Sequence, residues 1–210
     1  GRVGSTSVYE SLCESNISLP IFHVHTFCPT TSLETISKCK AERRRVARYQ
    51  HMGLLIGRSL EHRRATARPE PAAYIVNIVR DPIAVMLSLW FMKPKNSLKV
   101  NWNASESESI DACMSQFIEM LDRDDPTRWA ICNWHDHVFL PETGIDVYKH
   151  PFDHEKGYTI IKSQGYTVVL FRLEDVKHTF QHGISDLLGI DSSRVVFHHR
   201  NLHRDHQYAG

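Results

Sequence analysis

Short apolar runs alternate along this chain with longer stretches in which apolar residues recur at helical spacing. Two runs, Ala73-Tyr74-Ile75-Val76-Asn77-Ile78-Val79 and Tyr166-Thr167-Val168-Val169-Leu170-Phe171-Arg172, are mostly apolar and read as buried parallel strands. Pro20-Ile21-Phe22-His23-Val24-His25 predicts a shorter strand, with His23 and His25 on one face and Phe22 and Val24 on the other. Helical patterns cover about residues 33–63, 107–122, 126–139 and 176–188, the last closing at Gly189. A further helix runs through Val85 to Phe91, with Asp81 as its expected N-cap and Pro82 as its first residue. Residues 94–106 are polar and predict a loop. Strands alternating with helices define an α/β protein with a parallel sheet flanked by helices. With no repeat, low-complexity tract or linker, residues 1–210 read as one domain.

The first residues add a different signal. Gly1-Arg2-Val3-Gly4-Ser5-Thr6-Ser7 leads into the helical pattern Val8-Tyr9-Glu10-Ser11-Leu12. Small and hydroxyl residues before a helix describe a loop that offers backbone N–H groups and a helix N-terminus to an anion. Such loops follow a buried strand. A short apolar strand is therefore expected immediately before Gly1, and the domain is read as truncated at both ends.

Composition narrows the field without naming a function. Of 210 residues, 41% are hydrophobic and 23% charged, which is ordinary for a folded domain. The 25 basic and 24 acidic residues leave a net charge of +1, which speaks against nucleic acid or a membrane surface as the main partner. No apolar run approaches the ~20 residues of a membrane span, and no signal peptide opens the chain. The five cysteines, Cys13, Cys28, Cys39, Cys113 and Cys132, form no C-x-x-C pair and read as thiols of a reducing compartment. The 14 histidines include close pairs such as His135/His137, but none has the partners of a zinc site, so no metal is expected. Arg43, Arg44, Arg45, Arg48, Arg58, Arg63 and Arg64 read first as a solvated helix face, with a surface for an acidic substrate as the alternative.

The chemistry gathers where strands end. Open α/β sheets bind ligands beyond the carboxyl ends of their strands. The loop at residues 1–7 offers N–H donors, the hydroxyls of Ser5, Thr6 and Ser7, and the charge of Arg2. Arg80 ends a second strand, and Ser88 follows eight positions later, within roughly 80° of the same helix face. Two anion sites on strand ends suit a nucleoside with phosphate groups at both ends. The loop is not a Walker motif, because no Lys follows Gly4.

Together these segments resemble the P-loop sulfotransferases. Arg2-Val3-Gly4-Ser5-Thr6 matches the family's phosphosulfate loop, Arg80-Asp81-Pro82 through Ser88 its 3′-phosphate motif, and Arg172-Leu173-Glu174-Asp175-Val176 through Leu188-Gly189 its late strand, turn and helix. Asn133-Trp134-His135-Asp136, Gly144-Ile145-Asp146-Val147-Tyr148, Pro151-Phe152-Asp153 and Gly157-Tyr158 are similar to a bacterial group named for capsular polysaccharide synthesis. The resemblance implies a three-layer P-loop sulfotransferase-like fold and 3′-phosphoadenosine 5′-phosphosulfate as donor co-substrate. It further implies Arg2, Val3, Gly4, Ser5, Thr6, Ser7, Arg80 and Ser88 as donor-binding residues, and transfer to a hydroxyl of a saccharide or polysaccharide. Arg2 and the loop N–H groups would stabilise charge on the leaving phosphate. The His-x-His segment resembles the uronyl 2-O-sulfotransferase branch, whose base is a histidine of such a pair. His25 is accordingly the candidate base, with His23, Glu14 and Glu34 behind it.

The chain departs from the family at Arg2, where Lys is usual, and at Leu173, where many members have Tyr. A nucleotide-dependent phosphotransferase and a non-catalytic nucleotide- or glycan-binding module remain the alternatives. The expected location is the bacterial cytoplasm, or the Golgi lumen in a eukaryote.

Overall fold

A computed structural model of the protein describes residues 5–24, 44–66, 71, 73–90, 105–122 and 134–198. In chain order its elements are α1 (Ser5–Glu14), α2 (Arg44–Ala65), β1 (Ala73–Val79), α3 (Pro82–Trp90), α4 (Glu106–Asp122), a π-helical turn (His135–Phe139), α5 (Leu140–Thr143), β2 (Tyr158–Ser163), β3 (Tyr166–Arg172) and α6 (Val176–Leu188). Contacts divide the chain into two units: the first holds Val3–Val79 and His135–Gly210, the second Arg80–Trp134.

In the first unit a three-stranded sheet has the order β1-β3-β2. The central strand β3 is buried at six of its seven residues, as its near-continuous apolar sequence dictates. β1 runs parallel to it, Ala73 facing Tyr166 and Val79 facing Arg172, and the Leu173 N–H donates to the Val79 carbonyl at 2.8 Å just beyond. β2 runs antiparallel to β3, Tyr158 facing Phe171 and Ser163 facing Tyr166. Among the described residues the sheet is therefore mixed: the expected parallel pairing holds between β1 and β3, and β2 adds an antiparallel strand. The α/β class itself stands: helices and a small sheet with one parallel pair.

The antiparallel strand follows from the turn. Gln164 and Gly165 have φ of 53° and 77°, the left-handed conformation at both centres of a two-residue hairpin turn. Glycine adopts it without a Cβ clash, and the turn's twist matches that of the strands it joins.

One face of the sheet, through Val169, Phe171, Ile78 and Tyr158, packs into a core with Val8 and Leu12 of α1 and with Val176, Phe180, Ile184 and Leu187 of α6. Strand alternation turns Asn77 to the opposite face, where it meets His135 of the π-helical turn. At Gly183 α6 packs closely on the sheet: a Cβ there would stand 2.5 Å from the Phe171 ring. α6 closes at Gly189 with φ 66°. Residues 195–198 run beside α1, where the Ser15 and Ser11 hydroxyls accept from the Val196 and His198 N–H groups at 2.9 and 2.8 Å.

In the second unit, Met86 and Trp90 of α3 pack against Cys113 and Phe117 of α4. The Trp90 indole N–H donates to the Cys113 sulfur at 3.3 Å, and its ring meets Phe117 edge-on at 5.9 Å. A capping box sets the start of α4: the Ser105 N–H donates to the Glu108 carboxylate at 3.1 Å, and the Glu108 N–H to the Ser105 hydroxyl at 3.3 Å. The Ser105 hydroxyl, which also donates to that carboxylate at 2.7 Å, and the Ser105 N–H together hold the Glu108 carboxyl below its ordinary pKa.

Other expectations meet mixed outcomes. Pro20–Val24 is irregular, not a strand, and the proposed alternation fails because His23 and Val24 are both half-buried while Phe22 is exposed. Strand geometry needs a ladder partner, and Pro20 withholds a donor. Helical structure near residue 139 persists through a π turn to Thr143, beyond the expected end. Residues 33–43 of the expected first long helix, 94–104 of the polar loop, and 126–133 lie outside the described residues. Among the described residues no helix is long and apolar enough to cross a membrane.

Candidate functional site

The expected donor-binding residues fall in both units. Arg2, Val3 and Gly4 lie outside the described residues, as do His25 and Glu34. Ser5, Thr6 and Ser7 form the first turn of α1, in the first unit. That turn carries no acidic residue of its own, so the helix dipole and first N–H groups there meet no negative charge from within the turn. Among the described residues the buried Ser5 Oγ has no hydrogen-bond partner. A buried hydroxyl without a partner is uncommon, and an anion oxygen is one chemistry that would satisfy it. Ser7 is buried, one helical turn before Ser11 on the row that meets the C-terminal segment. His23, the second histidine candidate, stacks on Tyr9 with ring centroids 5.4 Å apart. Glu14 is engaged elsewhere, its carboxylate 2.6 Å from the His198 ring.

In the second unit, Arg80 and Ser88 are both half-buried. Arg80 follows β1 directly, and the next residue fixes the turn: the Asp81 carboxylate accepts from the Ala84 N–H at 2.7 Å, and Pro82 is the first residue of α3. The expected cap and helix start are both present. Arg80 is thus held at a strand end by a capped helix, a geometry that sets its backbone before any ligand arrives.

The Arg172-to-Asp175 segment forms the corner between β3 and α6. The Arg172 Nε donates to the Asp175 carboxylate at 2.5 Å. That hydrogen bond holds the Asp175 carboxyl below its ordinary pKa, with His154 and His178 adding in the same direction. Leu173 packs against the first unit's core.

One polar pair escaped the sequence reading. The buried Asn77 amide nitrogen lies 3.0 Å from His135 Nε2. An amide nitrogen only donates, so Nε2 accepts and the neutral ring carries its proton on Nδ1. Burial holds the His135 pKa below its ordinary value, while Asp136 pulls the other way. The Phe139 and Tyr148 rings flank it edge-on at 6.0 and 6.1 Å. The available signal was a polar residue inside an apolar strand, which calls for a partner. Among the described residues no three His, Cys, Asp or Glu side chains converge as a metal site would require.

Comparison with protein-family models, with curated proteins and with solved structures yields no significant match.

Proposed function

We propose that this chain is a sulfotransferase with a P-loop sulfotransferase-like three-layer fold. It moves a sulfuryl group from 3′-phosphoadenosine 5′-phosphosulfate to an acceptor hydroxyl of a saccharide. The observation that carries the reading is the start of α1. A helix without acidic residues in its first turn follows Arg2-Val3-Gly4 in sequence, and the buried Ser5 hydroxyl there has no partner among the described residues. A phosphosulfate oxygen would receive both the helix N–H groups and that hydroxyl. Arg80, held by the Asp81 cap, supports the reading as the charge for the 3′-phosphate.

The acceptor oxygen bonds to sulfur as the bond from sulfur to the 5′-phosphate oxygen breaks. The hydroxyl proton passes to His25, and the adenosine 3′,5′-bisphosphate leaves with its charge met by Arg2 and the loop N–H groups.

Calorimetric titration separates this reading from a phosphotransferase. Adenosine 3′,5′-bisphosphate is expected to bind more tightly than ATP. Arg80→Ala should weaken it by about 10- to 150-fold, the worth of one charged hydrogen bond. The same change should leave adenosine 5′-monophosphate binding nearly untouched. Tighter ATP binding overturns the donor assignment. Labelled-sulfate transfer to saccharides then tests catalysis, and His25→Ala should slow it by about 10²- to 10⁴-fold. Donor binding without transfer to any saccharide or phenol would leave a binding module in place of an enzyme.

A further inference from the structure

Residues 195–198 lie along α1 in a repeating pattern. Ser7, Ser11 and Ser15 are buried at four-residue intervals, two within α1 and the third just past its end. The Ser15 hydroxyl accepts from the Val196 N–H at 2.9 Å, and the Ser11 hydroxyl from the His198 N–H at 2.8 Å. The segment therefore runs antiparallel to α1 and advances two residues for each helical turn. The lengths match, since two extended residues span about 6.6 Å and four helical residues about 6 Å.

Side chains alternate along the same segment. Val195 is buried and the Phe197 ring meets Phe180 at 5.0 Å, so odd positions face the core. Val196 is exposed, and the His198 ring meets the Glu14 carboxylate at 2.6 Å. One clasp on α1 thus joins two groups three positions apart. Ser11 takes the backbone N–H of His198, and Glu14 takes its side chain.

The sequence of α1 holds this clasp twice, because Ser7 precedes Glu10 as Ser11 precedes Glu14. Ser7 is buried and Glu10 is half-buried, a setting in which a carboxylate is stable when it is paired. One turn back along α1 corresponds to two residues further along the tail, which is Arg200. By period two Arg200 shares the outward side of His198, and a guanidinium fork suits a carboxylate. Residues 199–210 lie outside the described residues.

We propose that α1 is a docking surface for the chain's own C-terminal segment beyond residue 198. The Arg200 N–H donates to the Ser7 hydroxyl, and its guanidinium pairs with the Glu10 carboxylate. The tail then straps α1 up to its first turn, so that opening of the tail and loosening of α1 are one event. The clasp stands whether or not a donor binds at the start of α1.

A charge-swap cycle on the full chain tests the pairing. Amide exchange over residues 195–200, read by mass spectrometry, reports how often the tail opens. Arg200→Glu and Glu10→Arg should each speed exchange about three- to tenfold, between the worth of an exposed ion pair and that of a buried charged hydrogen bond. Glu10→Arg combined with Arg200→Glu should return exchange to within about twofold of the wild type. Lys177→Glu, at an exposed position outside α1 and the tail, should change nothing. Unchanged exchange in Arg200→Glu, an equal effect of Lys177→Glu, or a loss that the swap does not recover would each overturn the proposal. Should Glu10→Arg fail to fold, Arg200→Lys decides. It keeps the charge and should keep most of the protection, and a loss equal to that of Arg200→Glu would sink the pairing.

Discussion

Asn77 sits inside an apolar strand, and its amide meets His135 Nε2 at 3.0 Å. The pair ties β1 to the π-helical turn, and burial holds the His135 pKa below its ordinary value. Because the folded pKa lies below the ordinary His value, the unfolded chain binds the proton more readily. Stability contributed by the neutral ring is therefore complete well above pH ~6.5 and declines as pH falls through that value. Urea midpoints measured from pH 7.5 down to pH 5 should fall. In His135→Gln that part of the fall should disappear, because a glutamine carbonyl can accept from Asn77 without titrating. An unchanged slope in the variant would place the acid sensitivity elsewhere. Removing the donor partner by Asn77→Ala should cost about 1–3 kcal/mol, the range for a buried polar group left unsatisfied.

Among the elements, α6 packs closely on the sheet at Gly183. A Cβ at Gly183 would stand 2.5 Å from Phe171, which is itself fully buried beneath Phe180 and Tyr158. Gly183→Ala gains about 1 kcal/mol of helix propensity but overpacks the interface by about 1–3 kcal/mol. A net loss of stability is expected by thermal or urea unfolding, and a more stable variant would mean the helix shifts freely. This same region shows what sequence could reveal. β1, β3 and α6 were legible residue for residue, because apolar runs and a closing glycine are local signals. β2 was missed although Gln164-Gly165 between Ser163 and Tyr166 is a hairpin signal, since Tyr158–Ser163 alternates weakly and includes Lys162. The His23 segment was misread because a strand exists only through its partner, which no local pattern encodes. Ser5 and Arg80 were legible as donor-site candidates. The Asn77–His135 pair was not, because its members are 58 positions apart.

At the scale of the whole molecule, α1 and residues 195–198 share one structural row. The Ser11 hydroxyl accepts from the His198 N–H across 187 positions, and Ser15 accepts from Val196 across 181. α1 also supplies Val8 and Leu12 to the first unit's core. A ligand that binds at the start of α1 therefore acts on an element that packs into that unit's core. If adenosine 3′,5′-bisphosphate binds there, a concentration one hundredfold above its Kd should add about 2.7 kcal/mol of stability. For a chain of this length that raises the unfolding midpoint by about 5–10 °C. Two substitutions on α1 separate binding from scaffolding. Ser11→Ala leaves the His198 N–H without its acceptor and should lower the unliganded midpoint, while the ligand-induced rise stays the same. Ser5→Ala should change the unliganded midpoint little or raise it slightly, because the hydroxyl it removes has no partner. Its ligand-induced rise should shrink. Differential scanning calorimetry with and without the bisphosphate reads both effects. A full rise in Ser5→Ala would move the donor away from the start of α1, wherever else the nucleotide binds.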